Sequence, residues 1–155
     1  MILLAATCAG ADITEAQRDR AATLAAREPS DKPRPASKTL RMFKCDSELD
    51  ALAAAMVNAE RLPGGTVARV AATGSMLPCL DEKTFVVARS VYAHEVQLGD
   101  VLVFNRQNGD TVIHRVVERI GKKRWRMKGD NNDVPDIETI GKSQLVGRVE
   151  LAFRY

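Results

Sequence analysis

A serine, a histidine and a run of aspartates are the side chains here whose chemistry combines. Ser75 stands in Thr73-Gly74-Ser75-Met76-Leu77-Pro78. Its glycine permits a tight turn and its proline stiffens the exit. His114 stands in the valine-rich run Val112-Ile113-His114-Arg115-Val116-Val117. On a period of two it shares a strand face with Val112 and Val116, a setting usual for a satisfied core histidine. A buried imidazole needs a partner for each ring nitrogen. A serine hydroxyl on one side and a carboxylate on the other would satisfy both, and a general base has the same requirement. The carboxylates are supplied by Lys128-Gly129-Asp130-Asn131-Asn132-Asp133-Val134-Pro135-Asp136, with three aspartates in seven residues. Such a loop reads as an Asx-rich turn or as the source of the aspartate that orients His114. Calcium-loop spacing is absent, so neither a metal site nor a cofactor is expected.

These residues need elements to hold them. The chain has 155 residues, a net charge of +3 and 45% hydrophobic residues, enough for one core without disulfides or metals. Of 21 alanines, 18 precede residue 73, and of 15 valines, 14 lie at or after residue 67. Alanine favours helix and valine favours strand, so a helical front and a β-rich back are expected. Residues 12–28 read as an alanine-rich helix, 29–35 as a proline-rich linker, and 47–61 as a second helix. That second helix carries the apolar stripe Leu49, Leu52, Ala53, Met56 and Val57. Strands are expected at about 66–72, 84–89, 101–105, 111–119, 124–128 and 145–153. Asn108-Gly109-Asp110 and Gly121-Lys122 read as hairpin turns. The division is therefore 1–65, helical, and 66–155, a β domain that carries the chemistry.

In this order the segments resemble the signal peptidase I family, most closely its endoplasmic-reticulum and archaeal type. The resemblance covers about residues 66–153. Gly74-Ser75-Met76-Leu77-Pro78 matches the nucleophile box, and Gly99-Asp100-Val101-Leu102-Val103-Phe104 the structural box before the base. His114-Arg115-Val116 carries histidine where bacterial leader peptidases have lysine and the endoplasmic-reticulum type has histidine. Lys128-Gly129-Asp130-Asn131-Asn132 matches the acidic box, and Asp136 stands where the pattern has a further acidic residue. Val146-Gly147-Arg148-Val149 is similar to the closing strand.

The resemblance implies a mainly β fold: an antiparallel, partly closed sheet of the signal peptidase and LexA-like kind, with an α-helical N-terminal segment. It implies a serine endopeptidase in which Ser75 is the nucleophile, His114 the base, and Asp136, or else Asp130, the residue that orients the base. The Ser75 amide and the Thr73 hydroxyl would form the oxyanion hole. An extended peptide or protein substrate would add as a strand beside Ala71, Ala72, Met76, Val112 and Ile113.

Relatives of this kind carry a membrane anchor just before the serine box. The helix at 47–61 holds Glu48, Asp50, Glu60 and Arg61 and is too short to span ~30 Å of hydrocarbon. No run of 18 apolar residues exists, and Met1 to Ala9 lacks the basic start of a leader peptide. A cytoplasmic or peripheral membrane location is expected. Cys8, Cys45 and Cys79 fit neither a zinc site nor a disulfide framework. The basic cluster Lys122, Lys123, Arg124, Arg126 and Lys128 reads as a solvated hairpin face, so stable nucleic-acid binding is not expected. Two alternatives stand beside the peptidase. One is a self-cleaving LexA-like regulator, for which histidine replaces that group's lysine. The other is a non-catalytic peptide-binding module of the same fold.

Overall fold

Alternation of apolar residues over most of the second half builds a single sheet. The computed structural model describes residues 40–155 together with Glu15. Glu15 is helical; the rest of the helix expected over 12–28, the linker at 29–35 and Cys8 lie outside the described residues. The elements run β1 (Arg41–Lys44), α1 (Glu48–Glu60), β2 (Thr66–Arg69), β3 (Thr84–Arg89), β4 (Val101–Asn105), β5 (Thr111–Ile120), β6 (Arg124–Lys128), β7 (Thr139–Gly141) and β8 (Leu145–Arg154). They form an eight-stranded, mainly antiparallel sheet curled into a half-barrel. Its order is β2-β3-β8-β4-β5-β6-β7, with β1 joined in parallel to the end of β8. Irregular register at Val87/Ala88, Val103/Phe104 and Val116/Glu118 marks where strands bend, and bulges of this kind add twist and curl.

Strands β3, β4 and β6 fall where the sequence pattern puts them, the first two as continuous apolar runs and β6 by alternation. β2 ends at Arg69, short of the expected residue 72: its pairing reaches one residue further, where the Val70 amide donates to the Thr84 carbonyl at 3.0 Å, and the chain then enters the turn closed by the Thr73 amide on the Ala71 carbonyl. β1 and β7 have no counterpart in the sequence reading. β1 is drawn straight by pairing with Leu151–Arg154, and Phe43 stacks on Phe153 at 5.2 Å. β7 is three residues long, and its Ile140 sits opposite Trp125. Neither supplies enough alternation to stand out from its neighbours.

Helix α1 begins where Ser47 accepts a bond from the Asp50 amide at 3.2 Å. The face it buries matches the expected stripe in part: Ala53 and Val57 are buried. Ala51, Ala54, Ala55 and Ala59 lie against Val67, Phe85, Val87 and Phe153, while Leu49 is 58% exposed. Small side chains let the helix axis approach the strands closely. The bulkier Leu52 and Met56 then pack at the margin. Residues 41–60 thus share a core with the sheet.

Two further apolar clusters cover the sheet. Val70, Met76, Leu80, Val101, Val103, Ile113 and Val149 belong to one. Val96, Leu102, Phe104, Val116, Trp125, Met127 and Ile140 belong to the other, with Val112 packed against it. His114 shares the face of Val112 and Val116, with its ring edge on Phe104 at 6.3 Å. Among the described residues, no helix is long and apolar enough to cross a membrane.

Candidate active site

The turn after β2 presents Ser75. The Thr73 amide bonds the Ala71 carbonyl at 2.8 Å, and the Leu77 amide bonds the Gly74 carbonyl at 3.2 Å. Gly74 holds φ of +70°, a conformation that L side chains rarely adopt, so glycine is required immediately before the serine. Met76 is 2% exposed and sunk in the core beside Leu80 and Val103. Its side chain therefore anchors the turn, and only its backbone is left to pair with a substrate strand. Ile113, also buried, belongs to the same cluster. Of the five expected substrate contacts, Ala72 is exposed, and Ala71 and Val112 are half-buried.

The acidic loop runs directly beneath this turn. The Asn131 amide donates to the Ser75 carbonyl at 2.8 Å, and the Asn131 side-chain nitrogen donates to the Gly74 carbonyl at 3.1 Å. A Cβ at Gly129 would lie 2.6 Å from the Ser75 carbonyl oxygen, so the approach admits only glycine. Further along, the Asp136 amide bonds the Met127 carbonyl at 2.8 Å and fixes the loop's return past β6.

Three side chains meet in the space so formed. The Ser75 hydroxyl lies 3.3 Å from His114 Nε2. His114 Nδ1 lies 2.8 Å from Asp136 Oδ2. The Thr73 hydroxyl lies 3.2 Å from the Ser75 hydroxyl and accepts a bond from the Ser75 amide at 3.4 Å. Burial works to raise the Asp136 carboxyl, but the hydrogen bond from His114, the charge of His114 and then Arg106 outweigh it and hold it below the usual carboxylate range. An ionised Asp136 accepts from Nδ1–H. In the neutral ring that leaves Nε2 as a bare acceptor facing the serine hydroxyl.

Asp130, the alternative partner for the ring, is engaged elsewhere. It forms a two-pronged ion pair with Arg115, at 2.7 Å to Nε and 2.7 Å to Nη2. Arg115 Nη1 also bonds the Gly99 carbonyl at 2.8 Å, and Cys79 Sγ lies 3.9 Å from Nη2. Burial pushes the Asp130 carboxyl up, yet the Arg115 hydrogen bond and charge bring it below the ordinary range. The reason for the division is strand geometry: Arg115 follows His114 on β5 and so points to the opposite face. His114 thus goes to Asp136 and Arg115 to Asp130. Among the described residues, no three His, Cys, Asp or Glu side chains gather to hold a metal ion.

The chain matches no protein-family model and no curated protein.

The sequence reading gave no role to three residues near this site. Arg106 Nη2 approaches Asp136 Oδ2 at 3.4 Å from the β4–β5 hairpin. In sequence Arg115 and Asn131 are marked only by the residues beside them, His114 and Asp130. Two of the basic hairpin residues are held by local partners: Arg126 pairs with Glu118 at 2.8 Å and Arg124 donates to the Thr139 hydroxyl at 2.8 Å. Cys45 is buried, and burial with Asp50 and Asp46 pushes its thiol up to about 11, which makes it a poor nucleophile.

Proposed function

We propose that this protein is a serine endopeptidase of the signal peptidase clan, cleaving an extended peptide through Ser75, His114 and Asp136. The observation that carries the reading is the unbroken chain of contacts from hydroxyl to imidazole to carboxylate, 3.3 Å and then 2.8 Å. A buried histidine needs two partners, but a core histidine has no need of a half-buried serine on a turn that only glycine can make.

The reaction follows from the protonation states. His114 Nε2 takes the Ser75 proton as the serine oxygen attacks the scissile carbonyl. Charge builds on the carbonyl oxygen; the Ser75 amide, which without substrate donates to the Thr73 hydroxyl oxygen at 3.4 Å, would exchange that long bond for the oxyanion, with the Thr73 O–H as second donor. The imidazolium is stabilised by Asp136 and passes its proton to the departing amine, leaving an acyl ester on Ser75. Water, activated by the same ring, releases the acid. Substrate would lie extended along Ala71, Ala72 and Val112, with its backbone bonding to chain edges and small side chains facing a shallow surface.

A library of natural-sequence peptides incubated with the protein, with new termini read by mass spectrometry, tests this. Wild type is expected to cut a subset with small residues before the break, and Ser75→Ala to lower the rate about a thousandfold or more. Equal cutting by the two proteins, or none by wild type, rejects the reading.

A further inference from the structure

The Gly74–Ser75 peptide is held at both ends. The sole cis bond among the described residues is Leu77–Pro78, so the carbonyl of Gly74 and the amide of Ser75 point in opposite directions. The amide end faces the Thr73 hydroxyl at 3.4 Å. The carbonyl end receives the Asn131 side-chain nitrogen at 3.1 Å, beside the turn bond from the Leu77 amide at 3.2 Å. The next carbonyl, that of Ser75, is fixed by the Asn131 backbone amide at 2.8 Å. One residue on a separate loop thus clamps both peptide planes that flank the Ser75 Cα.

We propose that Asn131 is a positioning residue for the oxyanion hole: its side chain, by holding the Gly74 carbonyl, aims the Ser75 amide at the developing oxyanion. This rests on the peptidase reading above. Asn131 approaches the peptide from the side away from Thr73, so it does not touch the reacting atoms. Two donors on one carbonyl draw electron density toward that oxygen, which sharpens the opposite N–H as a donor. Fixing the plane in advance also spares reorganisation when charge appears.

The side chain can be removed without the backbone bond. Asn131→Ala keeps the amide that holds Ser75 and loses only the Gly74 contact. Asn131→Asp keeps the size and removes the donor, so it carries the test should the alanine variant melt early. On the peptide that wild type cuts fastest, kcat should fall about tenfold in both variants while KM stays within about twofold. The Ser75 amide resonance in nitrogen-15-labelled protein should move in both. A purely structural role would shift the melting midpoint and leave the kcat-to-KM split unmoved. An active wild type with kcat unchanged in both variants, or with the loss in KM alone, overturns the positioning role and leaves the peptidase reading intact. A wild type that cuts nothing removes the peptidase reading and this role with it.

Discussion

Asp130 and Asp136 lie six positions apart in one loop and do different things. Asp136 meets the ring nitrogen of His114; Asp130 neutralises Arg115. Amide substitutions should separate them. Asp136→Asn keeps a similar shape but turns the favoured tautomer of His114 around, so kcat should fall by about a thousandfold or more with little change in melting. Asp130→Asn leaves Arg115 as a cation mostly out of water, with its own side chain 12% exposed. That variant should lose about 3 kcal/mol of stability by denaturant titration. If Asp130→Asn instead abolishes cleavage while its stability is intact, the division of roles is wrong. The sequence alone named both aspartates but could not choose between them. The choice depends on where the Arg115 side chain ends, and only the pleat of a formed strand sends Arg115 and His114 to opposite faces.

At the scale of elements, legibility followed the length of the pattern. β3 and β4 declare themselves as continuous apolar runs, β5, β6 and β8 as longer stretches rich in apolar residues, and all five lie within a residue of the expected ends. β1 was illegible because Phe43 is the one fully buried residue of its four, and its partner lies more than a hundred positions away in β8. The face of α1 was legible in part. Val57 is buried as the stripe has it, but Ala51, Ala54, Ala55 and Ala59 fill most of the contact with the sheet, and Leu49 is left exposed. Ala54→Leu tests this. With Ala54 at 0% exposure, the added bulk should cost about 1–3 kcal/mol and lower the melting midpoint, although leucine is an adequate helix former. An unchanged or raised midpoint would mean that the helix can shift away from the strands.

For the whole molecule, acid is the informative stress. Asp130 and Asp136 both hold folded-state values below the ordinary carboxylate range. The unfolded chain therefore binds protons first. Their contribution is fully present above the unfolded carboxylate value, about 3.9, and drains away as pH falls through the depressed folded values. Stability should be level from neutrality to about pH 4 in these groups' share, then drop steeply, and Asp130→Asn should flatten that drop. A drop equally steep in Asp130→Asn would assign the acid limb to other carboxylates. The parts of the relay come from distant stretches of chain: Ser75 and His114 are separated by 39 positions, and His114 and Asp136 by 22. No short piece of the chain holds all three. A protein emerging from synthesis would carry its serine first, with no base to activate it, until β5 and then the acidic loop had joined the sheet. On the proposed reading, the serine hydroxyl stays inert while the chain is unfinished, and completion of the sheet is what switches it on.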